Sequence, residues 1–468
     1  MPELPEVETV RRVLLPIVKG RTIKSIEVLR EKTIISGAKE FQKALENQTF
    51  LDVTRIGKFL IFHLTNDLAF ISHLRMEGKY FEYNEGEEHR KYARVIFHLD
   101  NNKKLVYDDS RCFGIMKLTS EKDYRNDKEI AQLGPEPFQI KDANYFINRC
   151  KKSTHPIKST LLDQTLMTGL GNIYADEVLF ASKINPFIKA KDITKKQWEE
   201  IVRNAVRILN EAIEMGGSTI KSYHPGKDID GNFQTVIKAY GKRYEDCPNC
   251  ESKFHFTTIG GRGSTYCPFC QPLKQDKLIV AITGKIASGK STVLANLKDK
   301  GYPILSCDTI VHDLYMDSDF KRKLIEKLDI KFEAGFNINE LRLMVAKDKK
   351  LKKKLEQFVH PFVYDVIAQE YSRFDKGIFF VEVPLLYESH GEDKFDFVIA
   401  LDINEKEQME RLKKRNLSSS SLLKVINMNN KFDSYKSKVD FIINNDSTPD
   451  KLNGQINLIL NKLKLLLN

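Results

Sequence analysis

The most constraining feature of this 468-residue sequence is the segment at positions 284–291, Gly-Lys-Ile-Ala-Ser-Gly-Lys-Ser. It has the form G-x-x-x-x-G-K-S, follows the apolar run Leu278–Thr283 and precedes a helical pattern at Ser291–Lys300. A glycine-rich loop between a strand and a helix directs its backbone N–H groups at phosphate. The segment therefore predicts a phosphate-binding loop (P-loop) near the start of a separate α/β domain.

Apolar runs after this loop indicate a parallel sheet. They alternate with helical patterns, as they do in domains whose strands lie side by side with helices on the faces. The further runs are Pro303–Ser306, Ile378–Val383, Phe395–Leu401 and Val439–Ile443.

The loop itself predicts a nucleotide site. Its backbone N–H groups would surround the phosphates, Lys290 would reach the β and γ oxygens, and Ser291 would hold Mg²⁺. The predicted nucleotide contacts are Gly284, Lys285, Ile286, Ala287, Ser288, Gly289, Lys290, Ser291 and Thr292.

Four of the seven cysteines form two C-x-x-C pairs, Cys247/Cys250 and Cys267/Cys270, with sixteen residues between the pairs. An odd number of cysteines argues against a disulfide framework, whereas this spacing is typical of tetrahedral Zn²⁺ on a β-hairpin. Four thiolates leave no position for water, so we expect one structural zinc ion.

The charge balance indicates a polyanionic partner. Lys and Arg number 75 against 64 Asp and Glu, a formal net charge of +11 with a pI near 9.0. Between the cysteine pairs, Gly260–Gly263 predicts a tight turn that holds Arg262 towards phosphate. Nucleic acid is therefore a candidate ligand.

The N-terminus contains a candidate nucleophile. Removal of Met1 would expose a secondary amine on Pro2, close in sequence to Glu3 and Glu6. An α-amino group has a lower pKa than lysine, and a secondary amine that attacks a sugar C1′ can form an iminium intermediate. A frayed terminus without chemistry is the alternative.

Residues 1–135 have the pattern of a β-sandwich or barrel. A helical pattern at Glu3–Val18 comes first, and five apolar runs separated by Gly, Asn and Asp then indicate strands. These runs are Thr22–Leu29, Thr49–Leu64, Leu68–Leu74, Ala93–Leu99 and Gly114–Leu118.

After a turn at Leu133–Pro137 the pattern becomes helical, with helices predicted at Asn172–Phe180 and Thr194–Glu214. Lys158 precedes the first of two close helical segments joined by Gly169–Asn172, and such a turn lets phosphate approach backbone N–H groups. We expect a helical domain at 136–232, a zinc hairpin at 233–273, a linker at 274–276 and the P-loop domain at 277–468.

The sequence has neither a basic-then-apolar N-terminal segment nor an apolar run of about 18 residues. We therefore expect a cytoplasmic protein without a membrane partner. We also expect a monomer.

Residues 1–273 resemble bacterial formamidopyrimidine-DNA glycosylase over the whole length of that family. The resemblance favours the branch that acts on oxidised purines over the endonuclease VIII branch, because Leu4–Val7 follows the candidate amine. It rests on the segments Pro2–Thr9, Gly57–Leu60, His73–Met76, Asp109–Gly114, Gly171–Ala175, and Gly260–Arg262 beside Cys267 and Cys270.

This resemblance implies a glycosylase and AP lyase for double-stranded DNA that contains 8-oxoguanine or formamidopyrimidine. Pro2 would attack C1′, Glu3 would be the acid/base that opens the sugar, and Lys58 would assist elimination. The other implied contacts are Glu6, which positions the terminus; Met76, Arg111 and Phe113, which fill the gap left by the flipped base; Lys158, Asn172 and Arg262, which grip phosphates with Lys58; and Tyr92, which replaces a DNA-contacting His of relatives. We expect Arg262 to be a catalytic residue as well.

Residues 277–468 resemble dephospho-CoA kinase nearly end to end. The resemblance implies phosphoryl transfer from ATP with Mg²⁺ to the ribose 3′-hydroxyl of dephospho-CoA, with Asp308 as base, Lys290 at the phosphates, and Arg411 and Arg415 in or beside a lid. The matching segments are Thr283–Thr292, Cys307-Asp308, Leu341-Arg342, His360-Pro361, Val383–Leu386 with Glu388, Arg411–Arg415 and Asp440–Asn445.

The kinase part departs from the family pattern in four places. Lys285 occupies the position of a common second glycine, and Ser306 that of the first Asp in Asp-Ala-Asp. Val425 and Asn429 fall where the lid commonly has Arg and Gln. Because Asp308 is retained, we expect kinase activity.

Other functions stay open for each part. The N-terminal part could be a DNA-binding module without catalysis, or an endonuclease VIII-like glycosylase for oxidised pyrimidines. The C-terminal part could phosphorylate another small molecule, such as a nucleoside monophosphate or a sugar acid.

Overall fold

Alternating apolar residues build eight antiparallel strands between Ile23 and Ser120 in the computed structural model. The strands are β1 (Ile23–Val28), β2 (Phe50–Ile56), β3 (Phe59–Leu64), β4 (Leu68–His73), β5 (Lys79–Asn84), β6 (Ala93–Leu99), β7 (Lys103–Asp108) and β8 (Ile115–Ser120). They form two sheets of order β1-β6-β7-β5 and β2-β3-β4-β8. This β-sandwich confirms the predicted architecture.

Aromatic residues fill the core between the two sheets. Phe70 is fully buried, and its ring stacks on Phe62 at 4.4 Å and on Phe97 at 5.7 Å between centroids. The helices of this region are α1 (Leu4–Val18) and α2 (Ala38–Leu45). Helix α1 buries Val7, Val10, Leu14 and Val18 in the same core, so the N-terminal segment is held by packing.

Two details of the strand prediction differ from the structure. The run Thr49–Leu64 is two strands, because the backbone reverses at Gly57 and β2 pairs antiparallel with β3. Strands β5 and β7 were not predicted, since lysines and a glutamate interrupt their apolar residues.

Helices dominate the chain from residue 128 to residue 214. They are α3 (Lys128–Ala131), α4 (Asn144–Cys150), α5 (Ile157–Leu161), α6 (Asn172–Ala181) and α7 (Lys195–Glu214). The predicted helices at 172–180 and 194–214 are confirmed as α6 and α7. Lys158 lies inside α5 and not ahead of it, as the second residue of that helix. A hairpin of β9 (His255–Ile259) and β10 (Arg262–Tyr266) follows.

The C-terminal part contains the predicted parallel sheet, with helices between its strands. Its strands are β11 (Lys277–Gly284), β12 (Ile304–Ser306), β13 (Gly377–Glu382), β14 (Phe397–Asp402) and β15 (Phe441–Asn444). Its helices are α8 (Lys290–Asp299), α9 (Cys307–Met316), α10 (Ser318–Leu328), α11 (Ile338–Lys347), α12 (Lys349–Arg373), α13 (Glu405–Lys413) and α14 (Pro449–Lys464). The strand order is β12-β13-β11-β14-β15. All four pairings are parallel, so the carboxyl ends of the strands share one edge.

The structure describes residues 2–218, 232–332, 335–414, 432–446 and 448–468. Within these ranges, none of the helices has the length and apolar character that crossing a bilayer requires. The chain divides into two units, Met1–Pro272 and Leu273–Asn468.

The segment expected to be a linker, 274–276, is bonded to the end of the second unit. Gln275 N donates to Leu466 O at 3.0 Å, and Asn468 N donates back to Gln275 O at 2.9 Å. Lys274 Nζ donates to Leu465 O at 2.6 Å. These residues therefore contribute structure to the second unit.

A polypeptide of residues 273–468 should unfold at higher urea concentration than one of residues 277–468. Removal of 273–276 deletes the bonds to the C-terminal residues, and we expect a loss of about 1–3 kcal/mol. Equilibrium urea unfolding of both polypeptides measures the difference. Equal stability would contradict a structural role for these residues.

Candidate active sites

Glu3 organises the first site. It is the N-cap residue of α1, is 2% exposed, and its N–H donates to Glu6 Oε2 at 2.8 Å. Its carboxylate accepts from Gly171 N at 2.6 Å and from Ile173 N at 3.0 Å. These two N–H groups belong to the start of α6, where the helix dipole favours an anion. Glu3 therefore fastens the N-terminus of the chain to the helix that follows the glycine turn.

The glycine turn is shaped for this contact. A Cβ at position 171 would overlap the Glu3 carboxyl carbon, so glycine is required for the carboxylate to approach. Leu4 N also donates to Gly169 O at 3.0 Å. Pro2 is buried beside these residues, while Met1 lies outside the described residues.

Lys58 is brought to the same place from the turn between β2 and β3. It is 5% exposed, and its Nζ donates to Leu170 O at 2.6 Å. Burial lowers the pKa of Lys58, while the charges of Glu3 and Glu6 act in the opposite direction. Burial also raises the pKa of Glu3 to about 7, against the nearby Lys58 ammonium and the N–H groups of α6.

An ion pair that sequence reasoning missed holds the turn of Lys58. Arg55 Nη1 and Nη2 donate to the two carboxylate oxygens of Glu136 at 2.6 and 3.0 Å. Glu136 Oε1 also accepts from Gly57 N at 2.8 Å. Arg55 and Glu136 lie 81 positions apart, so no short motif in the sequence signals the pair.

Glu6 connects α1 to the helical region. Its Oε1 accepts from Tyr174 OH at 2.7 Å, from Ser218 N at 2.8 Å and from Ser218 Oγ at 2.9 Å. The Glu6 carboxylate is buried and accepts from Glu3 N, so it contacts the backbone of the N-terminal segment.

The predicted wedge residues lie on two loops of the sandwich. Asp109 holds one loop, because its carboxylate accepts from Arg111 N at 2.9 Å and from Gly114 N at 2.7 Å. Phe113 is 53% exposed, and the Arg111 guanidinium lies 5.1 Å from its ring centroid. Met76 is half-buried between β4 and β5. An aromatic ring this exposed is available to a ligand.

Two further predicted DNA contacts are partly accessible. Tyr92 is exposed, with the Arg94 guanidinium 5.8 Å from its ring. Asn172 begins α6, and within the described part of the chain its Oδ1 atom is buried without a hydrogen-bond partner.

Lys158, which the resemblance implies as a phosphate contact, lies in an ion pair between α5 and α6. Its side chain is 0% exposed, 2.7 Å from Asp176 Oδ1, and its Nζ donates to Gly263 O at 2.6 Å. Asp176 also accepts from Ser264 Oγ and Thr265 N at 3.1 and 3.0 Å. Burial raises the pKa of Asp176 to about 6, against the Lys158 charge. The pair therefore fastens β10 to α6 and so fixes Arg262, which is exposed at the start of β10.

The four cysteines converge beside the hairpin. Their Sγ atoms all lie within 4.8 Å of one another, with 3.4 Å between Cys250 and Cys267 and 3.7 Å between Cys247 and Cys270. Thiolates around a tetrahedral Zn²⁺ with bonds of about 2.3 Å are separated by roughly 3.8 Å. The cluster thus fits one structural zinc ion, which ties both ends of the hairpin together.

In the second unit, the P-loop lies between β11 and α8. Gly289 has φ of 91° and precedes α8, and Lys290 Nζ donates to Gly284 O and Lys285 O, each at 3.0 Å. Ser291 is exposed in the first turn of α8. The exposed hydroxyl and the helix N-terminus fit a Mg²⁺-bound triphosphate.

Lys285 is paired with a carboxylate outside the P-loop. Its Nζ lies 2.7 Å from Asp402 Oδ1 and 5.2 Å from the centroid of the Phe432 ring. Its N–H donates to Leu401 O at 3.1 Å. The lysine at the position of the common second glycine thus forms an ion pair at the end of β14.

Carboxylates gather at the carboxyl edge of the parallel sheet. Asp308 is exposed in the first turn of α9, directly after β12. Glu382, which sequence reasoning missed, ends β13 beside the P-loop strand and accepts from Ser306 Oγ at 3.0 Å. The signal in the sequence was an acidic residue at the end of an apolar run that was predicted to be a strand.

Arg411 contacts the loop through Ala287 O at 3.4 Å. Arg415, Val425 and Asn429 lie outside the described residues.

Three family models match the chain. Residues 1–116 match the formamidopyrimidine-DNA glycosylase N-terminal domain, residues 133–224 match the H2TH domain of the same enzyme, and residues 278–451 match dephospho-CoA kinase. A curated formamidopyrimidine-DNA glycosylase from Bacillus cereus is 42% identical over 275 residues, which cover 58% of this chain and 99% of that protein. The chain belongs to the formamidopyrimidine-DNA glycosylase family.

Other members give the same coverage. The glycosylase of Mycoplasma mobile is 40% identical over 274 residues, which is 58% of this chain and 100% of that protein. Wild-type Lactococcus lactis Fpg in complex with N7-benzyl-Fapy-dG DNA aligns with a TM-score of 0.55 and 37% identity, over 58% of this chain and 99% of that one. A complex of the L. lactis enzyme with abasic-site DNA aligns with a TM-score of 0.54 and 36% identity. The alignment covers 57% of this chain and 99% of that one. The glycosylase family thus accounts for the first unit, and the second is a dephospho-CoA kinase domain.

Removal of zinc should abolish DNA binding and leave the kinase unaffected. The cysteine cluster fixes the hairpin that carries Arg262, and no cluster cysteine belongs to the second unit. Treatment with a zinc-selective chelator, followed by assays in excess Mg²⁺, should weaken binding of lesion DNA at least about tenfold, a loss of 1.4 kcal/mol, while ATP turnover stays constant. Fluorescence anisotropy and a coupled kinase assay measure the two activities. Parallel loss of both would contradict this assignment of the metal.

Proposed function

We propose that the N-terminal unit excises oxidised purines such as 8-oxoguanine and formamidopyrimidine from double-stranded DNA and then cleaves the strand through a Schiff base on Pro2. The observation that carries the proposal is the buried Glu3 carboxyl, which joins the N-terminal segment to the first N–H groups of α6 with Lys58 alongside. A DNA-binding module without catalysis has no need for a buried carboxyl of raised pKa at its terminus.

The proposed reaction begins when Met1 is removed and the Pro2 amine attacks C1′ of the flipped nucleotide. The base leaves with the electron pair of its glycosidic bond and takes up the proton that the Pro2 nitrogen releases, and the sugar ring opens as the C1′–O4′ bond breaks and O4′ takes a proton from Glu3. The nitrogen lone pair then forms the iminium at C1′. Loss of a proton from C2′, with Lys58 assisting, expels the 3′ phosphate. Water finally hydrolyses the iminium and frees the amine.

The geometry supports separate roles for the DNA contacts. Phe113 and Met76 would fill the space left by the flipped base, and Arg111 would bond the orphaned partner base. Arg262 and Asn172 would contact the phosphates beside the lesion. Lys158 would act through the hairpin, since its own ammonium is enclosed with Asp176.

Borohydride should trap a covalent complex between the chain and an 8-oxoguanine duplex. Reduction converts the iminium into a stable amine, so the adduct reports the Schiff base directly. A chain extended by one residue ahead of Pro2 should lose at least about 99% of the adduct, because a peptide nitrogen cannot form an iminium. The adduct is counted on denaturing gels, with anisotropy as the control for DNA binding. An undiminished adduct in the extended chain would exclude Pro2.

Excision should slow as the pH rises through the pKa of Glu3. That pKa is raised to about 7, so the acid form required for ring opening predominates below it and is lost above it. Single-turnover excision of 8-oxoguanine as a function of pH measures the alkaline limb, which Glu3→Gln should remove. A wild-type rate that still increases well above this pH would contradict the acid role.

We propose that the second unit transfers the γ-phosphoryl group of ATP to the ribose 3′-hydroxyl of dephospho-CoA. Asp308 is exposed at the edge that also holds the P-loop, as expected of a base that accepts the hydroxyl proton. Mg²⁺ would neutralise the phosphate charge, with Ser291 as a ligand and Glu382 as a carboxylate near it. Lys290 would exchange its bonds to Gly284 O and Lys285 O for phosphate oxygens.

Asp308→Asn should lower kcat with dephospho-CoA by about 100-fold or more, the usual contribution of a general base. Binding of ATP should change little, because the amide keeps the shape of the side chain. The assay should compare dephospho-CoA with nucleoside monophosphates and sugar acids as acceptors. Saturation by another acceptor alone would replace the proposed substrate.

A further inference from the structure

We propose that Gln408 and Asn445 are positioning residues for ATP, which hold the carbonyl groups of the P-loop outward so that its N–H groups face the phosphates. This inference rests on the proposed kinase function and extends it to two residues outside the loop motif. Gln408 lies on α13, and Asn445 follows β15.

Successive carbonyl groups of the loop are each bonded by a side chain. Gln408 Nε2 donates to Ile286 O at 2.7 Å, and Asn445 Nδ2 donates to Ser288 O at 2.7 Å. Between them, Arg411 Nη1 donates to Ala287 O at 3.4 Å. These three donors cover the outer side of the loop.

Because the peptide unit is planar and trans, these contacts also fix the direction of the loop N–H groups that face the phosphates. In such a unit the C=O of one residue and the N–H of the next point in opposite directions. Anchoring Ile286 O and Ser288 O on the outside therefore directs the N–H groups of Ala287 and Gly289 inward. An anion-binding nest requires N–H groups that converge in this way.

Burial makes the two amides effective anchors. Gln408 is 1% exposed and Asn445 is 6% exposed, so water does not compete well for their donors. A Cβ at Gly289 would collide with Asn445 Nδ2, which shows how closely the loop packs on this side chain. Arg411 Nη2 also donates to Asn445 O at 3.0 Å and braces the same residue.

The positioning role differs from that of Lys290. Lys290 Nζ bonds two loop carbonyls and, in the proposed reaction, leaves them for phosphate oxygens. Gln408 and Asn445 approach from the carbonyl side and keep their bonds when ATP enters. They therefore hold the loop in its binding conformation before ATP enters. Such preorganisation increases the affinity for the nucleotide.

The test measures equilibrium binding of Mg²⁺-ATP to the full chain without acceptor, by calorimetry, followed by steady-state kinetics. Asn445→Ala and Gln408→Ala should each raise the Kd and the KM for ATP by about 3–10-fold, as expected for loss of one buried hydrogen bond. The KM for dephospho-CoA should stay unchanged. Asn445→Asp, which keeps the shape but replaces the donor with a carboxylate oxygen facing Ser288 O, should raise both parameters at least as much as Asn445→Ala.

Gln455→Ala is the matched control. Gln455 makes two hydrogen bonds of 3.0 Å with the backbone of Asn444, the neighbour of Asn445, and none of these is with the P-loop. It should leave the ATP parameters unchanged. Unfolding midpoints of all variants separate loss of fold from loss of affinity, and Gln408 on α13 provides a second site if Asn445 variants fail to fold.

The outcomes separate this inference from the proposed function. Wild-type affinity for ATP in both Asn445→Asp and Gln408→Ala would overturn the positioning role. An equal rise in the KM of both substrates would overturn it too, because that result indicates general loosening. If the wild-type chain binds ATP but does not phosphorylate dephospho-CoA, the proposed acceptor is wrong, and the ATP binding data still decide the inference.

Discussion

The hydrogen bonds from the start of α6 to the Glu3 carboxylate are the contacts on which the first unit depends. They place a buried acid, the N-terminal segment and the glycine turn in one small volume. Leu4 packs into the helical core, while Val7 and Val10 pack into the sandwich core, so α1 belongs to both. The same contacts therefore join two layers of the fold and create the chemistry of the site.

Both units use the same physical device, a helix N-terminus that receives negative charge. In the first unit the charge is the Glu3 side chain at α6, and in the second it is the phosphate of the proposed ATP at α8. In each case glycines permit close approach, and side chains hydrogen-bonded to the backbone support the turn. Arg55 with Glu136 supports the turn of Lys58, and Gln408 with Asn445 supports the P-loop.

Sequence patterns predicted the features that are encoded within short segments of the chain. The P-loop, the cysteine pairs and helices α6 and α7 were evident because their signals lie within short segments. Strands β5 and β7 were not predicted, because charged residues interrupt their apolar residues. Pairing with neighbouring strands of the sheet stabilises them. The ion pair of Lys158 with Asp176 was not predicted, because it forms only where α5, α6 and β10 pack together. Bonds between residues distant in sequence, such as Glu3 to Gly171 or Asn445 to Ser288, leave no local signal.

The most direct test of the central claim, that Pro2 is the nucleophile placed by Glu3, is the mass of the intact chain combined with peptide mapping of the reduced sugar adduct. The account predicts a mass that lacks Met1 and an adduct on the N-terminal peptide at Pro2. Retained Met1 with the adduct on Lys58 would contradict it.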